Sequence, residues 1–148
     1  MSDASIEPGC VLHWTGFKFD DGATANKFFV IVGAQPNKNY LAVIATSKMK
    51  RGRKPEPGGN PEGGWYHIPG GGKDFFPDDT WLLFEAPQEL SAAQLLSLKL
   101  KNDIQVKGNL RGDIANGICN CMRKCEDVSE YHKTLLGPAI QPKPKTKS

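Results

Sequence analysis

A chain of 148 residues with 39% hydrophobic and 24% charged side chains is one domain's worth of sequence, able to bury about two thirds of its unfolded surface. No apolar run reaches the 18 or so residues of a membrane span, and Met1–Pro8 has neither the basic nor the apolar region of a secretory signal, so a cytoplasmic protein with no membrane partner is predicted. The net charge of +3 sits in Lys143, Lys145 and Lys147, which leaves 16 basic and 16 acidic side chains for residues 1–137.

The first predicted strand is Cys10–Trp14, opening after Pro8-Gly9. Lys27–Ala34 and Tyr40–Thr46 follow, both too short and too rich in β-branched and aromatic residues for helices. Pro36 and Asn37 suit the link between them to a hairpin turn. Both runs are apolar almost throughout, which predicts central strands covered on both faces. From Gly52 to Gly72, eight Gly and four Pro fill 12 of 21 positions. That composition forbids a helix or a long central strand and predicts a mobile loop at 48–64, with Trp65–Ile68 as a short strand after it. Thr80–Phe84 is the next strand.

Ser91 with Gln94 three residues on marks a helix start, and Leu95, Leu96, Leu98 and Leu100 give that helix its apolar face. Ile104–Lys107 reads as one more short strand. A second helix is predicted over Leu110–Lys124, where Ile114, Ile118, Cys121 and Cys125 recur at spacings of 4, 3 and 4. A third spans about Val128–Leu136 and stops at Gly137-Pro138. The domain therefore covers 1–137, with 138–148 a disordered Lys/Pro tail. Strands first and helices last predict an α+β fold: a small, strongly curved antiparallel β-barrel with C-terminal helices.

Charge is segregated within the domain. Lys48, Lys50, Arg51, Arg53 and Lys54 stand close together without an acid, whereas 74–98 holds five acids and no base. The basic cluster is the electrostatic footprint of a nucleic-acid binder, and equally that of a solvated loop. Cys119, Cys121 and Cys125 fall within seven residues on one helix, a spacing that fits neither a disulfide framework nor the paired ligands of a zinc site. Small buried thiols in a reducing compartment are the expectation. Gly72-Lys73 is followed by Asp74 rather than Ser or Thr, so no phosphate-binding loop is read there.

Five segments in order carry a resemblance. Pro8-Gly9-Cys10-Val11-Leu12, then Phe17-x-Phe19-Asp20-Asp21-Gly22, then Lys27-Phe-Phe-Val-Ile-Val, and finally Leu41-Ala-Val-Ile-Ala-Thr46-Ser47 followed by Trp81-Leu-Leu-Phe-Glu85-Ala-Pro87 are similar to the strand-and-turn pattern of the PemK/MazF/Kid toxins over about 9–125. The resemblance implies an SH3-like barrel and a homodimer. It also implies cleavage of single-stranded RNA without metal or other cofactor, and neutralisation by a cognate antitoxin protein. It places Lys27 where the family has an Arg at the start of a strand. Thr46 and Ser47 match hydroxyls that hold a phosphate oxygen, and Glu85 matches the carboxylate of Asp-Gln-Pro, the candidate general base. The Lys48, Lys50, Arg51, Arg53 and Lys54 loop, with Trp65, Tyr66 or Trp14 for base stacking, would line the RNA groove.

Two positions depart from the family pattern. Lys27 is a point charge without the bidentate fork of Arg, and Leu83 stands where some members place a second basic residue. A non-catalytic nucleic-acid- or protein-binding module on the same barrel is therefore the alternative. A surface that serves protein partners alone is a third reading.

Overall fold

The computed structural model describes residues 6–47, 57–70 and 75–137. Lys48, Lys50, Arg51, Arg53 and Lys54, the Gly72-Lys73-Asp74 step and the 138–148 tail lie outside the described residues. Seven strands form one sheet: β1 Cys10–Lys18, β2 Thr24–Gly33, β3 Tyr40–Thr46, β4 Gly58–Asn60, β5 Trp65–Ile68, β6 Thr80–Leu90 and β7 Ile104–Asn109. Three helices accompany them, α1 Ala92–Leu100, α2 Gly112–Lys124 and α3 Glu130–Lys133. The sheet order is β4-β5-β6-β3-β2-β1-β7, and every ladder is antiparallel. The fold is α+β. Among the described residues no ladder joins β4 to β7, so the sheet is open along those edges. No described helix is long and apolar enough to cross a membrane.

The alternation along β2 and β3 explains their unbroken hydrophobicity. Val30, Val32 and Val43 belong to one core cluster, Phe29, Ile31 and Ala42 to the other. These strands lie inside the sheet and are buried on both faces, as expected of central strands. On the first face α2 contributes Ile114, Ile118, Cys119 and Met122, and the chain beyond it adds Leu135 and Leu136. On the second face α1 contributes Leu95 against Leu90, Ile104 and Ile31. Each such large side chain, fully buried, contributes about 1.5–3 kcal/mol.

Local signals set most boundaries. Ser91 caps α1 through a reciprocal pair: its hydroxyl accepts from Gln94 N–H at 3.0 Å, and Gln94 Oε1 accepts from Ser91 N–H at 2.8 Å. The β2–β3 turn puts Asn37 at φ 65°, a conformation Asn tolerates better than most residues. Several elements differ from expectation: β1 runs on past Trp14 to Lys18, and β2 spans Thr24–Gly33 rather than Lys27–Ala34. The segment 57–64, predicted as loop, holds β4 and a turn in which Asn60 accepts from Gly63 and Gly64 N–H. Strand β4 forms because Gly59 slips under α2: a Cβ there would lie 2.5 Å from Cys121 Sγ. Strand β6 runs on past Phe84 to Leu90, and α3 is only four residues long.

Candidate functional site

Antiparallel register fixes who meets whom. Phe28 pairs with Ala45, so Lys27, inside β2, stands beside Thr46, the last residue of β3. Ile44 pairs with Leu83 and Ala42 with Gln88, which leaves Phe84, Glu85, Ala86 and Pro87 opposite the single residue Val43. This wide bulge throws Glu85 out of the ladder. Lys27, Thr46 and Glu85, from three different strands, line one cavity of about 390 Å³. Ser47 lies outside it and lines a neighbouring hollow of about 340 Å³, which shares Lys27 and Thr46. Lys27 and Thr46 thus form the ridge between two depressions. No ion pair within 4.0 Å joins Lys27 to Glu85 among the described residues.

A second bulge builds the opposite wall. The β1–β2 register shifts between Trp14 and Phe17, at Gly16, whose φ of 74° suits glycine and whose N–H donates to Asn26 Oδ1 at 3.0 Å. In a regular strand, strict alternation would turn Phe17 away from the face that carries Leu12 and Trp14; the bulge absorbs one residue and reverses the phase. With it, Phe17 pairs opposite Ala25 and joins Phe29 on the cavity face, ring centroids 4.9 Å apart. Phe19 follows two residues on and meets Phe17 edge to face at 5.0 Å. Phe17, Phe19, Phe29 and Gln88 all line the cavity. None of the four is a site residue in the sequence reading. The available signal was a glycine inside a strand followed by Phe-x-Phe, since a Gly there marks a bulge.

The three predicted stacking residues separate, Trp14 packing behind the cavity against Phe17 and Phe29 with ring centroids 5.0 and 5.1 Å away. Trp65 pairs with Leu83 and its ring lies over Gly63, in the turn whose Gly63 and Gly64 form part of the cavity wall. Tyr66 points through the sheet to the other face, where it packs on the first core against Gly59 and Gly117.

Several titratable groups outside the cavity are held in structure. Burial pushes the Cys10, Cys119 and Cys121 thiols up to about 11, far from thiolate chemistry at neutral pH. Cys125 is buried as well, and His132 turns instead to Glu89, at 3.7 Å. Among the described residues no three His, Cys, Asp or Glu side chains converge as metal ligands. His67, 2% exposed, stacks on Trp81 with centroids 4.5 Å apart and planes 7° apart, and lies 3.8 Å from Asp79. Glu89 accepts from the Tyr131 hydroxyl and from Asn39 Nδ2. Those two bonds, in that order, hold its carboxyl below the usual carboxylate range, and they tie α3 to the end of β6.

The cavity is balanced in charge: Lys18 and Lys27 are offset by Asp20 and Glu85. Its lining combines a cation, a hydroxyl and a carboxylate (Lys27, Thr46 and Glu85) with the rings of Phe17, Phe19 and Phe29. Ligand pockets of this size are mostly apolar with a few placed polar groups. In comparison with known proteins, the chain matches no family model, no curated protein and no solved structure.

Proposed function

We propose that the chain is a metal-independent endoribonuclease that cuts single-stranded RNA, in the manner of the PemK/MazF/Kid toxins its sequence resembles. The observation that carries this reading is the convergence of Lys27, Thr46 and Glu85 from three strands on one cavity. The chemistry needs a base and a charge. Glu85 takes the proton of a ribose 2′-hydroxyl, whose oxygen attacks the adjacent phosphorus. As that bond forms, Lys27 stabilises the charge on the phosphorane and Thr46 donates to a phosphate oxygen. The P–O5′ bond then breaks and the leaving oxygen takes up a proton. The products are a 2′,3′-cyclic phosphate and a 5′-hydroxyl.

The same reading takes the open seven-stranded sheet as a relative of the SH3-like barrel, acting as a cytoplasmic homodimer neutralised by an antitoxin protein. Lys48, Lys50, Arg51, Arg53 and Lys54 would extend the phosphate track beyond the cavity. A second reading, a binding module without chemistry, is favoured by Leu83, which puts an apolar wall beside Glu85 in place of a second cation. Incubation with long single-stranded RNA in EDTA, beside Glu85→Gln, separates the two. Cyclic-phosphate ends from the wild type alone are expected. Intact RNA that is nevertheless bound, with a steep salt dependence, would establish the binding module instead.

A further inference from the structure

We infer that the outer edge of β7 is a contact between two copies of this chain, paired antiparallel around Gln105 so that the two sheets run on as one; this rests on the homodimer of the reading above and on none of its chemistry. Strand β7 ends the sheet and pairs with β1 alone among the described residues. Gln105, Val106 and Lys107 are exposed. The β1 ladder fixes which backbone groups they offer. Thr15 N–H donates to the Asp103 carbonyl at 2.7 Å, and His13 stands opposite Gln105. Successive residues of a strand turn their N–H and C=O groups to opposite sides. Asp103 and Gln105 therefore engage β1, whereas Ile104 and Val106 turn theirs outward. Such an outward row is a template for another strand.

A two-fold seam has few registers to choose from, because its hydrogen-bonded pairs must join outward residues. Centred on Gln105, it sets Ile104 opposite the partner's Val106, and each such pair exchanges two backbone bonds. The same register sets Lys107 opposite the partner's Asp103, a cation against an anion at both ends of the seam. Lys107 has no acid within 4.0 Å among the described residues, and Asp103 has Lys101 at 3.8 Å. Ile104 and Val106 share one face of the strand. Ile104 is buried there with Leu12 and Leu95, but Val106 is 42% exposed, and pairing lays the partner's Ile104 beside it. Centring on Val106 instead would oppose Ile104 to Gly108, which is paired with Val11, and would lose the charge match. Lys107 is the extra residue of the β1–β7 bulge, which confines the seam to 103–107. A contact this short predicts a reversible dimer rather than an obligate one.

Sedimentation velocity of the full chain, from about 1 μM to about 1 mM, tests this. A monomer–dimer equilibrium that closes at two is expected, since each copy presents β7 once. Val106→Pro removes an outward N–H and none that β1 uses, a position where edge strands accept proline. It is expected to give a monomer that is folded by circular dichroism. Lys107→Asp sets an acid against the partner's Asp103 and is expected to weaken dimerisation about tenfold. Adding Asp103→Lys restores opposite charges and is expected to recover most of that loss, which a merely structural role for Lys107 would not allow. RNA cleavage is followed on the same samples. A dimer untouched by Val106→Pro and by Lys107→Asp would overturn this seam and leave the homodimer to another surface. A wild type that stays monomeric throughout overturns it too, and leaves the edge to a strand of a different protein. Dimers that respond as expected but spare RNA keep the seam and remove the ribonuclease reading.

Discussion

The two faces of the sheet are made from the same strands and end differently. On one face, α2 and the chain after it bring Ile118, Met122, Leu135 and Leu136 onto Val30, Val32 and Phe84, and every one of these is buried. On the other, the nine residues of α1 pack mainly on β6 and β7, and Lys27 and Thr46 of β2 and β3 line an open cavity instead. Two bulges flank that cavity, and Glu85 joins its lining. A complete helical layer gives stability. A short one leaves polar side chains lining an open cavity, at the expense of apolar burial there.

That contrast is broken or sharpened by substitutions on each face. The largest effect is expected at the cavity: Glu85→Gln and Lys27→Ala should each lower RNA cleavage by about 10²–10⁴-fold. Their urea midpoints should stay near the wild type's, since neither side chain is buried. A matching loss of stability would mean that both faces are structural. On the covered face, Ile118→Ala removes a side chain with no exposure and should cost about 2–5 kcal/mol in urea unfolding, with cleavage by the folded fraction intact.

Smaller changes probe the seams. Gly59→Ala drives a methyl against Cys121 Sγ and should cost about 1–3 kcal/mol, and Cys121→Ala in the same chain should recover part of it. A double-mutant cycle reads this coupling directly. Ser91→Ala removes one half of the α1 cap and should cost about 1 kcal/mol, measured by the same unfolding curves.

The smallest effect is expected where α3 meets β6. Hydrogen bonds from Tyr131 and Asn39 lower the Glu89 carboxyl below 4.5 in the folded chain. The folded state therefore releases this proton more readily than the unfolded one. Its contribution is complete above about pH 4.5 and is lost as pH falls through the folded value. Glu89→Gln should flatten that part of the acid limb of stability against pH; an unchanged limb would show that the cluster adds nothing.

Most strands and helices were legible in local residue patterns. Runs such as Lys27-Phe-Phe-Val-Ile-Val and Tyr40–Thr46 are β-branched and two-sidedly apolar, and the structure makes them central strands. Ser91 and Gln94 cap the helix predicted from them, because a cap needs only residues a turn apart. Strand β4 was illegible, since three residues reading Gly-Gly-Asn carry no periodic signal and pair only because Gly59 fits beneath Cys121. Tyr66 and Trp65 are neighbours in sequence, yet the pleat sends them to opposite faces. Only tertiary structure decided that Lys27, Thr46 and Glu85 share a cavity while Ser47 stands next door, and that Phe17, Phe19 and Gln88 complete it. The physical reason is register. Each bulge reverses or displaces a period-two pattern, and the pairing partner that fixes the bulge lies on another strand, far away along the chain.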